Sequence, residues 1–164
     1  MYKSVLDYFE ETVKRVPEKK AIRHNEDDCT FAMLQEQAQK LGSYMIELVG
    51  DIKNRPIVVL LPKSMDAVVA DLGISYSCNI FNNLDVKTPV HRLENIIKLL
   101  KPVMVITNNA YKDMLSWQEY DVKLLNLDET VLCDININAE ELEKMNCFPS
   151  SRQLKKYKFF LPVE

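Results

Sequence analysis

The chain has 164 residues, of which 47% are hydrophobic and 27% charged, and its 21 Lys and Arg residues against 24 Asp and Glu residues give a formal net charge of -3. A chain of this length can bury a core without disulfides or metal, so we expect one compact domain or part of a larger one. The mild acidity argues against a general nucleic-acid binder, which needs a concentrated basic face. No apolar run approaches the roughly 20 residues that cross a bilayer, and Asp7, Glu10 and Glu11 do not fit a signal peptide, so we expect a cytoplasmic protein without membrane contact.

The first predicted elements are a helix and a β-hairpin. Ser4 followed by Asp7 is typical of a capping box, and apolar residues at helical spacing continue until Pro17. Residues 21–24 and 29–31 are short β-type runs on either side of four polar residues, which indicate a turn. We therefore predict an amphipathic helix and then a two-stranded hairpin.

A long helix and a strand-turn-helix unit follow. Thr30 is the predicted N-cap of the long helix, Gly50 is its C-terminal cap, and its apolar face consists of Leu34, Ala38, Leu41 and Met45. Residues 56–61 form a continuous apolar run, which is typical of a strand covered on both faces in a parallel sheet. Ser64 then predicts the N-cap of the next helix.

The alternation of strand and helix then repeats. Residues 78–81 predict a weaker strand, and Thr88-Pro89 predicts a helix start with proline at the first helical position. That helix should end at Lys101-Pro102, after which residues 103–107 predict another buried strand.

The last predicted elements complete an α/β pattern. They are a short helix through Met114-Leu115 and a strand at residues 122–127. This alternation predicts βαβ crossovers and an α/β fold, with an open, mostly parallel sheet, helices on both faces and a small N-terminal hairpin. We assign residues 1–128 to an α/β subdomain and residues 129–164, with a short helix around residues 139–145, to a connection.

Candidate chemical residues are few. The cysteines form no C-x-x-C pair and are interpreted as reduced, mostly buried thiols in preference to a metal or disulfide framework; they are Cys29, Cys78, Cys133 and Cys147. His24, beside the acidic turn, and His91, in the first turn of a predicted helix, fit surface contacts better than an acid or base role. Asp27-Asp28 and Glu140-Glu141 fit solvated charge better than metal ligation.

Three further features were weighed for chemistry. Ser64 follows a strand, as some nucleophiles do, but no G-x-S-x-G surrounds it and N-capping accounts for it. A basic cluster interleaved with aromatic residues fits a solvated linker or edge strand better than a nucleic-acid or acidic-partner site; it consists of Arg152, Lys155, Lys156 and Lys158. No phosphate-binding glycine loop can be drawn from the three glycines, Gly42, Gly50 and Gly73. The residues alone therefore assign no catalytic, cofactor-binding or metal-binding residue.

Segments across residues 4–110 carry a family resemblance. The opening helix and strand match at Phe9-Glu10, Val13, Pro17 and Ala21-Ile22. A Leu-Thr-Tyr-x-Glu-Leu motif is similar at Thr30, Phe31 and Leu34, with Met33 where glutamate is usual. Residues 57–74 match a strand, a basic-serine turn and a helix almost position by position. The chain thereby resembles the N-terminal portion of adenylate-forming (AMP-binding) enzymes, especially peptide-synthetase adenylation domains, D-alanine-activating ligases and acyl-CoA synthetases.

Two more motifs of that family extend the resemblance. Leu-Lys-Ala-Gly-x-Ala-Tyr-x-Pro-Leu-Asp falls on residues 75–85, where Phe81, Leu84 and Asp85 fit. Cys78 replaces its glycine and Asn83 its proline. The proline-x-x-Arg-Leu helix and the strand after it are matched by Pro89, Arg92, Leu93, Ile96 and residues 105–107. The resemblance implies that the fold is part of the large N-terminal domain of the adenylate-forming enzymes.

The resemblance also implies a function. The parent protein would activate a carboxylic acid, with an amino acid favoured, using ATP and Mg, and would pass the acyl group to a carrier-protein or coenzyme A thiol. The family's phosphate loop and catalytic residues would lie beyond residue 164, towards which residues 129–164 lead. We therefore expect a fragment that is inactive alone, pairs with the remainder of the adenylation domain, and receives no site residue from the resemblance.

A second class of function stays open. The chain fits a stand-alone, truncated α/β module that acts as a binding or interaction protein, with its open sheet edge covered by a partner or by self-association. A response-regulator-like or flavodoxin-type domain is disfavoured, because the sequence shows no acidic cluster at a strand end and no phosphate loop.

Overall fold

The computed structural model describes residues 4–24, 27–50 and 52–144. Two short 3-10 helices lie at Trp117–Glu119 and Leu132–Asp134. The helices and strands, in chain order, are α1 (Val5–Arg15), β1 (Lys20–His24), β2 (Asp27–Thr30), α2 (Phe31–Val49), β3 (Pro56–Val59), α3 (Met65–Tyr76), β4 (Ile80–Asn83), α4 (Val90–Leu100), β5 (Met104–Thr107), β6 (Lys123–Asn126) and α5 (Ala139–Lys144).

The strands form two separate sheets. β1 and β2 pair antiparallel as the predicted hairpin. The other four strands form a parallel sheet in the order β4-β3-β5-β6, in which Ile57 lies opposite Phe81 on one side and Met104 on the other. The predicted α/β class with an open parallel sheet and a small hairpin is confirmed.

Local capping chemistry explains where the helices begin. Ser4 and Asp7 form the predicted capping box of α1. The Thr30 side chain accepts the backbone N–H of Met33, and α2 ends at Gly50 with φ 74, a left-handed value that glycine adopts without strain. Because these signals are local in sequence, the starts of α1 and α2 were predictable before any packing was known.

Helices cover both faces of the parallel sheet. α2 and α3 pack on one face, where the core contains Leu41 and Ile74 against Ile57 and Ile106. α4 and the segment that follows β5 pack on the opposite face, where the core contains Val58, Leu60, Leu93, Ile97, Val105, Leu115 and Trp117. Strands apolar on both sides are the physical reason for the continuous apolar runs in the sequence.

Three helices of the first face are also joined by hydrogen bonds. The Tyr76 hydroxyl on α3 donates to Glu10 Oε1 on α1 at 3.3 Å and accepts from Gln35 Nε2 on α2 at 3.4 Å. Burial is the main cause that raises the pKa of Tyr76 to about 12. The phenol therefore stays protonated and can serve as both donor and acceptor.

Two predicted boundaries are wrong. The strand expected at residues 78–81 begins at Ile80, because Cys78 has φ 61 and lies in the turn that ends α3. In that turn Asn79 N donates to Ile74 O, and Cys78 N donates to Ser75 O. Pro89 is the N-cap of α4, one residue before the first helical position. Both errors are shifts of one or two residues caused by turn geometry.

The short helix predicted through Met114-Leu115 does not form. The chain makes successive turns there, and the indole Nε1 of Trp117 donates to the carbonyl oxygen of Lys112. An α-helix would give that carbonyl to the N–H four residues later, so burial of Trp117 competes with the helix. The predicted helix around residues 139–145 is confirmed as α5 as far as the description extends.

Within the described parts of the chain, no helix combines the length and the apolar character needed to span a membrane.

Candidate functional site at the carboxyl edge of the parallel sheet

The connections of the sheet open a crevice between β3 and β5. The chain leaves β3 towards α3 on one face and leaves β5 towards the opposite face, although the two strands are neighbours. In open α/β sheets, ligands bind where adjacent connections diverge at the carboxyl ends of the strands. We therefore take this edge as the candidate functional site.

The β3 side of the crevice is held rigidly. Leu60 N donates to Ile106 O at 2.8 Å, and the buried hydroxyl of Thr107 donates to Leu60 O at 3.2 Å. Ser64 Oγ accepts the N–H of Ala67 at 3.3 Å, which is the predicted capping role. Lys63, between strand and helix, is exposed and places a positive charge on this turn.

A polar network closes the β5 and β6 side. Asn126 Nδ2 donates to Asn109 Oδ1 at 2.8 Å, and Asn126 Oδ1 accepts the N–H of Asp128 at 3.1 Å. Asp128 Oδ2 in turn accepts the N–H of Asn109 at 2.9 Å. The Thr130 hydroxyl donates to Asn126 O at 2.8 Å. These bonds tie the two loops together, so the backbone that a ligand would meet is already ordered.

A charged pair and an unsatisfied amide oxygen border that network. Lys112 Nζ lies 3.0 Å from Glu129 Oε1; this hydrogen bond raises the pKa of Lys112 and lowers the pKa of Glu129. The pair is exposed to solvent, so its contribution to stability is small. Asn108 Oδ1 is buried and accepts no hydrogen bond within the described structure. A donor that reached this oxygen would remove an unfavourable buried group.

The described side chains of this edge are hydrogen-bonding and charged groups. Across residues 4–24, 27–50 and 52–144, no group of three His, Cys, Asp or Glu residues could hold a metal ion. The Ser64 hydroxyl is engaged with Ala67, as a cap requires, and no described hydrogen bond joins it to a base. The edge therefore offers hydrogen-bond donors, hydrogen-bond acceptors and the positive charge of Lys63 for positioning a ligand.

The other residues considered from sequence lie elsewhere. His91 is exposed in the first turn of α4, as expected for a surface histidine. The backbone of His24 pairs with Asp27 in the hairpin, and both side chains lie outside the described structure. Lys20, and secondarily Arg23, lower the pKa of Asp28 by pairing with it. Glu141 is exposed at the start of α5, next to Glu140, and the basic cluster of residues 152–158 lies outside the described residues.

The prediction of reduced thiols is confirmed for one cysteine and wrong for another. Cys29 is buried, carries a free thiol, and has a pKa raised by burial. Cys78 is disulfide-bonded. Disulfide formation depends on proximity in space, which scattered spacing in the sequence does not report. The side chain of Cys133 and the whole of Cys147 lie outside the described structure.

Sequence reasoning missed the polar network. Its signal was present, because Asn108-Asn109 directly follows the strand predicted at residues 103–107, and Asn126 and Asp128 lie at the end of the next one. Carboxyl ends of parallel strands meet at one edge, so polar residues in these positions are brought together by the fold.

Comparison with known proteins relates the chain to AMP-binding enzymes and peptide synthetases. A family model described as "AMP-binding enzyme" matches residues 9–157. Nonribosomal peptide synthetase kk1B of Curvularia clavata is 28% identical over 132 residues, which is 78% of this chain and 1% of that protein. Surfactin synthase subunit 1 of Bacillus subtilis is 24% identical over 127 residues, 77% of this chain and 4% of that protein. The chain thus spans a small part of the length of these relatives.

Solved structures share the fold. Klebsiella oxytoca NpsA in complex with 3-hydroxyanthranilyl-AMSN has a TM-score of 0.73 at 15% identity, covering 84% of this chain and 27% of that one. VinN has a TM-score of 0.70 at 19% identity, covering 87% and 36%. Because the family model spans nearly the whole sequence, and the strand-turn-helix unit at its centre is in place, this chain belongs to the AMP-binding enzyme family.

Proposed function

We propose that the chain is part of an ATP-dependent ligase that activates a carboxylic acid, most suitably an amino acid. The observation that carries the proposal is the family match over residues 9–157. The amino-acid preference is supported by relatives named as peptide synthetases and by the VinN structure solved with 3-methylaspartate.

The reaction has two steps. A carboxylate oxygen of the substrate attacks the α-phosphorus of ATP, and pyrophosphate leaves with the electron pair of the broken P–O bond; a bound Mg²⁺ would neutralise phosphate charge. A thiol of a carrier protein or of coenzyme A then attacks the acyl carbon and gives up its proton to solvent, and AMP leaves with the electron pair of the broken acyl–oxygen bond. A carrier protein is favoured because one solved neighbour, NpsA-ThdA, is described as an artificially fused adenylation-PCP di-domain of a nonribosomal peptide synthetase.

This chain's own contribution is a scaffold. Its three glycines form no phosphate loop, and no group of three His, Cys, Asp or Glu side chains gathers among the described residues. We propose that the nucleotide and metal contacts come from the remainder of the adenylation domain, and we assign no catalytic residue here. The ordered crevice between β3 and β5 would support that neighbouring polypeptide.

The test is amino-acid-dependent exchange of labelled pyrophosphate into ATP. The polypeptide that contains these residues is captured from its native source with an antibody to this chain, and its intact mass is compared with 19.1 kDa. We expect a larger species that catalyses exchange with a small set of amino acids. A folded species above that mass that is inactive with every amino, aryl and fatty acid tried would refute the proposal.

A matched pair of variants shows whether this subdomain belongs to the activating unit. Leu93 is fully buried on α4, whereas Leu99 on the same helix is 87% exposed. Leu93→Ala should lose exchange activity together with thermal stability, since truncation of a buried leucine costs about 2–5 kcal/mol. Leu99→Ala should retain both. Equal exchange activity in the two variants would separate the subdomain from the reaction.

A second function is favoured by the open edge of the sheet. β4 has no neighbour on its outer side within the described structure, as an interaction module would require. A native species of 19.1 kDa without exchange activity would support this alternative.

A further inference from the structure

β4 presents unused backbone groups along the edge of the sheet. Ile80 N donates to Arg55 O and Leu84 N donates to Val59 O, so these alternate residues point towards β3. Successive residues of a strand point their backbone groups in opposite directions, so those of Phe81 and Asn83 point outwards. No strand of the described structure pairs with them.

An apolar pocket lies on one face of this edge. It has a volume of about 370 Å³ and lies between α1, the hairpin, α2, α3 and β4. Phe81 forms its border with the edge and is 43% exposed, while Val68 is 38% and Val5 76% exposed. Phe81 lies opposite Ile57, whose side chain belongs to the core beneath α2 and α3, so the pocket and that core lie on the same face.

A single acidic group lies beside the pocket. Asp71 Oδ2 accepts a hydrogen bond from Asn83 Nδ2 at 2.9 Å, and Asp71 Oδ1 is buried without a hydrogen-bond partner in the described structure. Burial raises the pKa of this carboxyl group, and no described Lys or Arg pairs with it. A cation placed beside Asp71 would favour the ionised carboxylate that burial disfavours, and would be electrostatically complementary to it.

We propose that the β4 edge and this pocket bind an extended peptide segment as an added strand. The segment carries an apolar side chain beside Phe81 and, two residues away, a Lys or Arg beside Asn83 and Asp71. The spacing of two follows because alternate residues of a strand share a face, and Phe81 and Asn83 share theirs. Main-chain hydrogen bonds supply affinity and the pocket supplies specificity, as in other strand-addition sites.

The edge lacks the charged residues and the proline by which many edge strands block strand addition. β4 reads Ile-Phe-Asn-Asn, with no charged residue and no proline. Edge strands that avoid pairing carry lysine, proline or a bulge. This inference does not depend on the proposed ligase function, and peptide binding can be measured whether or not the chain supports exchange activity.

The experiment uses a fluorescein-labelled, eight-residue peptide of threonines and valines in which a leucine and a lysine are two residues apart. Both orders of leucine and lysine are tested, together with a control peptide in which the two are adjacent and would point to opposite faces. Fluorescence anisotropy with the full chain should show saturable binding, at least tenfold tighter for the spaced peptides. Amide exchange at Phe81 and Asn83 should slow at least tenfold on binding.

Three variants localise the effect. A further peptide carries norleucine in place of the lysine. Asp71→Asn keeps the side-chain shape and should abolish the preference for the lysine peptide over the norleucine peptide. Val68→Asp, in the pocket wall, should weaken binding of all peptides at least tenfold. Leu99→Asp, which is exposed on the opposite face of the sheet, should leave binding unchanged. Circular dichroism on each variant separates loss of binding from loss of fold.

Four results would overturn the proposal. The first is no saturable binding up to millimolar peptide, and the second is equal affinity for the spaced and adjacent peptides. The third is slow amide exchange at Phe81 and Asn83 in a peptide-free monomer, which would mean that other residues of the same chain already pair with the edge. The fourth is slow exchange in a sedimenting dimer, which would assign it to a second copy.

Discussion

Gly73→Ala tests whether the α2–α3 contact depends on the absence of a side chain. A Cβ at Gly73 would lie 3.1 Å from Ala38 O and 3.1 Å from both Leu41 Cβ and Leu41 Cγ. Ala38 and Leu41 are fully buried in α2, so neither can move without shifting that helix. Alanine is favoured over glycine inside a helix by about 1 kcal/mol, whereas overpacking costs about 1–3 kcal/mol. The overpacking outweighs the propensity, and we expect a net destabilisation of about 1 kcal/mol.

The assay is urea unfolding followed by circular dichroism, with thermal unfolding as a second probe. For a chain of this size, about 1 kcal/mol corresponds to a fall in Tm of about 2–4 °C. Leu99→Ala, at a position 87% exposed, is the control for a helix substitution without packing and should lie within about 0.5 kcal/mol of the original chain. A Gly73→Ala protein as stable as the original chain, or more stable, would refute the reasoning.

The neighbouring glycine provides a consistency check. A Cβ at Gly42 would lie 3.0 Å from Tyr76 Cβ and 3.1 Å from Gly73 O, across the same helix pair. Because either alanine forces the same two helices apart, the double variant should lose less stability than the sum of the two single variants. Strict additivity would mean that the two contacts are relieved independently.

Three further predictions concern stability. Burial raises the pKa of Tyr76 to about 12, so the folded state holds the phenol proton more tightly than the unfolded state. The stabilisation is fully present below pH 10, and the free energy of unfolding should fall by about 1.4 kcal/mol per pH unit between pH 10 and 12. Parallel urea titrations measure this fall relative to Tyr76→Phe. Equal slopes for the two proteins would contradict the shift. Lys101 ends α4 with φ 47, a left-handed conformation that is strained for residues with a side chain. Lys101→Gly should therefore raise the free energy of unfolding by about 1 kcal/mol and shift the urea midpoint upwards. An unchanged midpoint would argue against strain at this residue. Asn126→Ala removes one donor and one acceptor from the network at the carboxyl edge and should cost about 1–3 kcal/mol by the same assay, against no change in an exposed control, Asp121→Ala.

Features encoded by neighbouring residues were predictable from sequence. Ser4, Thr30 and Ser64 each cap a helix through a side-chain oxygen that accepts an N–H three residues later. Such a bond depends on a few residues whatever the rest of the chain does. The apolar runs of β3 and β5 were equally informative, because a strand buried on both faces leaves no room for alternation.

Features that depend on distant residues were not predictable in the same way. Cys78 adopts a left-handed conformation, which a glycine, asparagine or aspartate at that position would have indicated, but cysteine carries no such signal. The helix expected through residues 114–115 is lost because Trp117 donates its indole N–H to Lys112, a choice made by burial of the ring in the core beneath α4. The network around Asn126 exists only once β5 and β6 are paired.

The topology separates the candidate site at the carboxyl edge from the proposed strand-addition site. The carboxyl-edge crevice is built from the loops after β3, β5 and β6, whereas the strand-addition site is built on the outer side of β4 and the helices above it. β3 lies between them and is fully buried at residues 57–59, so a ligand at one surface shares no exposed side chain of that strand with a partner at the other. Energetic coupling between the two surfaces would require a packed element with two discrete arrangements. Occupation of the β4 edge is therefore compatible with a ligase parent as well as with an independent interaction module, and the choice between these functions depends on the chemistry measured at the crevice.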